Sequence, residues 1–514
     1  MMKKIKLASI LFAIGAMGMV ACGGNHGGEN GGGGEEQDTD TDGTFAQIDV
    51  PKGITPKVVF WHTFGDKIET EVQDQLDSFK AAVKAKEGVD LDTELFHYGN
   101  YNDTVTVIGS NLSTGTGPTM AIGYPDSAAS LMKQYPGQIV NMQDYLSSSQ
   151  YGLGTDGYLG DTAKKQKNEK DFIKSYLDEG RAFDVDGTYV LPYMKSSEIM
   201  LYNMDAMKTI MPQFKPGMKE GQIEDYLRGI SFDELMEIAA YAYTNKGSLG
   251  LTSLDYPVYY DSDSNLIISQ LEQKGLKFAT RGESGEVVLN LDKNKDLENY
   301  NAVKAVIEQY RTWHSNHLLT TKGDQGTYAS DAFKNQKSIF CIGSSGGAGY
   351  SFPETGSFDF RVCKVPYGGE SEDTAKYISQ GPSIIFFTDK SRTAEENKYD
   401  LIYSWKFYKY ITNTQNNCVV CFNHSEGYVP VKNSCYRSSD WQDYIADSDN
   451  MYPKCALVLR EEIGDNFITS LVFNGSATYR TEAGAIVTSA LKTNNDIGTL
   501  IDTAVNNTYV AMGS

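Results

Sequence analysis

The sequence predicts an α/β protein of two lobes, and three observations carry that expectation. Lys57-Val-Val-Phe-Trp-His-Thr-Phe64 reads as an apolar strand, and Ile68, Val72, Leu76, Phe79 and Val83 then recur along one face of a helix closed by Gly88. A strand-like Thr93 to His97, a helix-like stretch from Tyr101 and a buried strand over Pro118-Thr-Met-Ala-Ile-Gly123 follow, an alternation that builds a mainly parallel sheet. The body starts near Pro51 of a 514-residue chain, leaving room for two lobes of about 150 to 250 residues each. Finally, two apolar runs, Tyr189 to Leu191 and Ile199 to Tyr202, abut across Pro192 and the polar pair Ser196-Ser197. That break predicts a crossing between layers with both serines exposed to a ligand, or else a kinked strand whose serines satisfy local backbone groups.

Later elements repeat the pattern. Ser231-Phe-Asp-Glu234 is a capping box opening a helix that carries Leu235, Ile238 and Tyr241. Val303, Val306, Ile307 and Tyr310 make Asn301 to Trp313 helical, and Ser338-Ile-Phe-Cys-Ile-Gly343 and Ser383-Ile-Ile-Phe-Phe387 read as buried strands. Leu401, Trp405 and Tyr408 mark another helix, and helical runs follow Thr481. Asp292-Lys-Asn-Lys-Asp296 imitates a calcium loop but has Leu297 where glycine is needed and Val303 where glutamate is needed, so it reads as a solvated turn.

The N-terminus has the layout of an export signal. Lys3, Lys4 and Lys6 precede an apolar run from Leu7 to Val20 that is too short to span a bilayer, then Met19-Val-Ala-Cys22. This resembles a bacterial lipoprotein signal, which implies removal of residues 1–21, lipidation of Cys22 and residence on the outer face of the cytoplasmic membrane. Residues 22–50, rich in glycine and then in Glu, Asp and Thr, form a tether with too little apolar surface to fold. A formal charge of -21 argues against nucleic acid as a partner. Six further cysteines, Cys341, Cys363, Cys418, Cys421, Cys435 and Cys455, have no second CxxC pair among them, which points to buried thiols or one disulfide and to no metal.

Ligands in parallel sheets bind beyond the carboxyl ends of the strands, which marks Trp61, His62, Tyr124 and Asp126. Trp61 and Tyr428 stand beside turns as aromatic plates for a sugar ring, or pack in a core. Asp126 meets ligand or caps the helix that follows it. Ser344-Ser-Gly-Gly347 presents backbone N–H groups to an oxygen or is a plain turn, and Arg480 binds an anionic group or lies at the surface. No HExxH or P-loop occurs, so neither catalysis nor a cofactor is expected. Paired carboxylates of a glycoside hydrolase stay open, as does a sensory surface receptor.

In order along the body, Val58-Val-Phe-Trp-His, Tyr124-Pro-Asp126, Leu191-Pro-Tyr with Leu201-Tyr-Asn203, Phe232-Asp-Glu-Leu235, Gln380-Gly-Pro-Ser383 and Gly427-Tyr-Val-Pro430 resemble segments of family 1 extracellular solute-binding proteins. That resemblance implies a periplasmic-binding-protein fold with a hinge, an interlobe ligand cleft, a carbohydrate or polyol ligand, and a monomer delivering it to the permease of a bacterial ABC importer. It implies crossings near Pro192, Tyr328 and Pro382, with residues 51–192 and 329–382 in one lobe and 193–328 and 383–514 in the other. Within the family the pattern is most similar to glycerol-3-phosphate receptors. Tyr101, Asp126 (in place of glutamate), Ser196, Ser197, Ser344, Ser345, Gly381, Tyr428 and Arg480 then match ligand-binding positions, with a phosphorylated polyol as the alternative ligand.

Overall fold

The computed structural model describes residues 48–160, 169–447 and 449–513, all within one unit spanning Asp40–Ser514. The predicted leader, Cys22 and nearly all of the tether lie outside the described residues. Among the described residues, no helix is long and apolar enough to cross a membrane.

Two sheets form the two lobes. The first runs in the spatial order Asp92–His97, Lys57–His62, Met120–Gly123, Ser383–Phe386, Val190–Pro192. Its first three strands are parallel, and Ser383–Phe386 is antiparallel to both of its neighbours. In Lys57–His62, Val58 and Phe60 face one buried cluster while Val59 and Trp61 face another. A strand covered on both faces has to be apolar throughout, which is why its signal is a continuous run. The helix Asp66–Glu87 buries Ile68, Val72, Leu76, Phe79 and Val83 and ends at Gly88 in the left-handed conformation, as the spacing predicts.

The second sheet runs Phe360–Lys364, Ser196–Asn203, Phe340–Ser344, Val258–Tyr260, Leu319–Thr321, with Ser379–Gln380 also paired to the start of Ser196–Asn203. The capping box forms: Ser231 Oγ accepts from the Glu234 N–H at 3.1 Å, and Glu234 Oε2 accepts from the Ser231 N–H at 3.0 Å. Asp292 is buried and accepts from the Tyr509 hydroxyl at 2.8 Å, and Asp296 caps the helix Leu297–Ser315, while Lys293, Asn294 and Lys295 between them are exposed, so the turn is solvated apart from its first residue.

The chain crosses between the sheets at Tyr193–Lys195 and at Gly381-Pro382. Near Val429 a further segment pairs with Lys195, exchanging backbone hydrogen bonds of 2.7 and 3.0 Å. The crossing expected near Tyr328 does not occur. Phe340–Ser344 lies between Ser196–Asn203 and Val258–Tyr260, so residues 329–380 belong with the second sheet, and Ser383–Phe386 returns to the first. The expected lobe assignments of 329–382 and of 383–411 are therefore exchanged. An apolar strand finds ladder partners in either sheet, and its own residues do not say which.

The break is also displaced. Ser196 and Ser197 lie inside the second strand, 1% and 0% exposed, and the bend falls at Tyr193–Lys195.

Candidate functional site

Between the lobes lies a cavity of about 330 Å³. Tyr124, Pro125, Asp126 and Glu179 wall it from the first lobe, and Ser264, Asn265, Ser379, Gln380 and Arg480 from the second. Ile468, Ser470 and Val472 close one side. They belong to a strap that bonds Tyr377 of the second lobe at Ile468 and Ala182 of the first at Val472. On the same side Arg281 donates across the gap to the Phe183 and Asp184 carbonyls at 2.6 and 3.0 Å.

The polar groups of the wall are held by buried partners. Lys195, 1% exposed, pairs with Glu179 Oε2 at 2.5 Å and donates to Ser383 Oγ at 3.2 Å, leaving Glu179 Oε1 without a hydrogen-bond partner. Ser379 Oγ and Gln380 Oε1 are likewise buried and unpartnered. Behind the other wall, Glu198 accepts from Tyr260 and, at 2.8 Å, from Asn265 Nδ2, while Asn265 Oδ1 accepts from Arg480. Burial pushes the Glu198 carboxyl up to about 7, against the pull of those two donors and of Arg480. The Tyr101 and Tyr124 rings pack at 4.5 Å between centroids. Burial raises the Tyr124 hydroxyl above its ordinary range, and Arg480, Tyr101 and the Gly381 N–H partly offset that.

Of the residues expected from sequence, Tyr124, Asp126 and Arg480 line the cavity. Asp126 sits in the first turn of the helix Pro125–Gln134 without capping it, and accepts from Ser476 Oγ at 3.1 Å across the lobes. Arg480 points to Asn265 instead of lying free at the surface. Tyr101 and Gly381 adjoin Tyr124, and Tyr428 and Ser196 flank Gly346 so closely that a Cβ there would lie 2.9 Å from the tyrosine ring.

The remaining expectations meet other surroundings. Ser197 Oγ donates to the Ile378 carbonyl at 2.8 Å, and Ser345 Oγ donates to the Gly427 carbonyl at 3.1 Å and accepts from the Ser197 N–H at 3.3 Å. Ser344 Oγ receives the Gly346 N–H at 3.2 Å, so this turn bonds to itself. These serines tie strands together because each is enclosed among backbone groups that need partners.

Trp61 packs on Tyr98 at 4.8 Å inside the first lobe, and its Nε1 makes no hydrogen bond. His62 is buried between Phe64 and His97, its pKa lowered to about 4 by burial and then by His97. Trp61→Phe is therefore expected to cost about 1–2 kcal/mol in denaturant unfolding while leaving any ligand-induced rise in the unfolding midpoint intact. Loss of that rise would return Trp61 to the site.

Glu179, Glu198, Asn265, Ser379 and Gln380 escaped the sequence reading. Only Glu198 left a signal, an acid within the apolar run Ser196–Asn203. All six cysteines after Cys22 are buried free thiols. Among the described residues, no His, Cys, Asp or Glu cluster could hold a metal ion.

The architecture, two α/β lobes joined by several crossings around a polar cleft, defines a solute-binding protein. Residues 77–447 match the family of bacterial extracellular solute-binding proteins, and the chain belongs to that family, whose members bind solutes without transforming them. Among solved structures, the cyclic alpha-maltosyl-1,6-maltose binding protein from Arthrobacter globiformis superimposes with a TM-score of 0.63 at 12% identity, covering 89% of this chain and 99% of that one. UgpB from Mycobacterium tuberculosis, in complex with glycerophosphocholine, gives 0.61 at 16% identity over 89% and 99% of the two chains. The GacH receptor of Streptomyces glaucescens, solved unliganded and with acarbose, gives 0.58 at 12% identity over 90% and 99%. These likenesses establish the fold. No curated protein matches the sequence.

Proposed function

We propose that this protein captures a carbohydrate in the interlobe cleft and delivers it to the permease of an ABC importer, tethered to the membrane through a lipid on Cys22. The observation that carries the ligand class is the set of unpartnered polar atoms on cavity-lining residues: Glu179 Oε1, Ser379 Oγ and Gln380 Oε1. Buried acceptors left unsatisfied are costly, and a ligand rich in hydroxyl donors satisfies them. Tyr124 adds an aromatic face for a sugar ring. Relatives of the same fold bind maltose-type sugars and acarbose.

The second reading is a phosphorylated polyol, favoured by Arg480 in the wall and by the glycerophosphocholine complex of the Mycobacterium protein. Against it, Arg480 is already engaged by Asn265 beside Glu198, and Asp126 and Glu179 bring two carboxylates to the same cavity. Fixed negative charge disfavours a phosphate.

Thermal unfolding of the body against mono- and oligosaccharides and glycerol phosphate tests both. A sugar at a hundred times its Kd adds about 2.7 kcal/mol of stability. Gln380→Ala is expected to weaken sugar binding about tenfold without lowering the midpoint of the ligand-free protein. A shift with glycerol phosphate alone, abolished by Arg480→Ala, would replace the carbohydrate reading with the second.

A further inference from the structure

We propose that Glu198 and Asn265 form a proton-linked positioning pair behind Arg480, which sets whether the cleft accepts only neutral sugars or also sugars bearing an acid group. The inference rests on the carbohydrate reading of the cleft and adds to it a determinant of ligand charge. Glu198 is 3% exposed and Asn265 is 1% exposed, so the link between Arg480 and the carboxylate runs through groups sealed from water. The Asn265 carboxamide is fixed at both ends, Nδ2 donating to Glu198 Oε1 at 2.8 Å and Oδ1 accepting from Arg480.

The network keeps its geometry when Glu198 takes a proton. A proton on Oε2 is donated to the Tyr260 oxygen, the Tyr260 hydroxyl turns its own hydrogen to its other side-chain partner, Ser269, and Oε1 goes on accepting from Asn265. What changes is charge. With Glu198 ionised, its negative charge largely cancels that of Arg480 for anything in the cavity. With Glu198 neutral, that cancellation is lifted, and the guanidinium is opposed in the cavity only by Asp126 and by Glu179, the latter paired with Lys195.

The groups acting on Glu198 are Tyr260 and Asp261 from the strand Val258–Tyr260 and its end, Asn265 from the helix Asp263–Gln273, and Arg480 from the helix Ser476–Lys492. Asp261 opposes ionisation, whereas Tyr260, Asn265 and Arg480 favour it, and burial outweighs them to leave the carboxyl near 7. An acid group entering beside Arg480 adds negative charge near Glu198 and raises its proton affinity further. Binding of an acidic sugar therefore takes up protons and tightens as pH falls.

The probes are glucuronate, whose charge is constant through the relevant range, and glucose as its neutral counterpart, with maltose as a second neutral sugar. Binding is measured by calorimetry and midpoint shift at about pH 5.5 and about pH 8. Wild type is expected to bind glucuronate about tenfold more tightly at the lower pH, the equivalent of about one pKa unit of coupling, with glucose or maltose unchanged. Glu198→Gln imitates the protonated acid, accepting from Asn265 and donating to Tyr260, and is expected to hold the tighter glucuronate binding at both pH values. Arg480→Ala removes the advantage at low pH.

A measurement without ligand checks the carboxyl itself. The folded state binds the Glu198 proton more tightly than the unfolded one, so the contribution of this carboxyl to stability is fully present below the ordinary glutamate range and is lost as pH rises to about 7. That decline is lost in Glu198→Gln. Equal glucuronate affinity at both pH values, or pH dependence that persists in Glu198→Gln, overturns the proposal while any neutral-sugar shift keeps the carbohydrate reading. Absence of a shift from every sugar overturns both.

Discussion

Lys406→Met is expected to cost about 3–5 kcal/mol of folding stability, the penalty for leaving a buried charge without its counterion. Lys406 Nζ lies 2.7 Å from Glu87 Oε1 and 3.3 Å from Asp156 Oδ1, and Lys409 meets the other oxygen of Asp156. These side chains are between 0% and 3% exposed. Tyr403 donates to Glu87 Oε2 at 2.8 Å, and Tyr158 donates to Oε1. The cluster joins the end of the helix Asp66–Glu87, the helix Ala394–Ile411 and the loop at Asp156, so its loss loosens three elements that cover the first sheet. Urea unfolding measures the effect. A cost under about 1 kcal/mol would show that water reaches the site and screens it like a surface pair.

Gly381→Ala is expected to be the second large effect, acting on both stability and binding. Gly381 has φ of 98°, and a Cβ there would lie 2.6 Å from the Met194 carbonyl oxygen and 2.9 Å from the Lys195 Cα. Both are backbone atoms of the neighbouring crossing and cannot swing aside. Left-handed strain and overpacking together amount to about 2–4 kcal/mol. The backbone shift that relieves the clash moves Ser379 and Gln380 in the cavity wall and the N–H facing Tyr124. Sugar affinity should fall at least about tenfold, since displacements of an ångström forfeit well-placed hydrogen bonds. Solution scattering with and without sugar separates the two effects. A variant that unfolds early yet contracts normally on binding would place the hinge motion elsewhere.

The residues that read correctly from the chain are those whose environment is set by near neighbours. The helix Asp66–Glu87 announces its buried face through Ile68, Val72, Leu76, Phe79 and Val83, and Ser231 with Glu234 announces a helix start, because each partner lies within one or two turns. Ordered motifs from Val58 to Pro430 pointed to a two-lobed binding protein, and the family match over residues 77–447 agrees. The ligand positions were harder. Trp61 and Ser197 belong to runs that look alike whether they end at a cleft or in a core, and both are buried. Glu179 and Gln380 have no local mark, since what makes them polar wall is the presence of Tyr124 and Arg480 from distant parts of the chain.

By itself the sequence determined the apolar strands, the amphipathic helices and their caps, all properties of short windows governed by periodicity and backbone propensity. Tertiary structure alone decided that Phe340–Ser344 joins the second sheet, that Ser383–Phe386 returns to the first, and that Arg480 faces Asn265 and Glu198 across a buried network. Those outcomes depend on ladder partners and counter-charges supplied by residues far away in the chain, and hydrogen bonding and burial select among them only once the lobes have assembled.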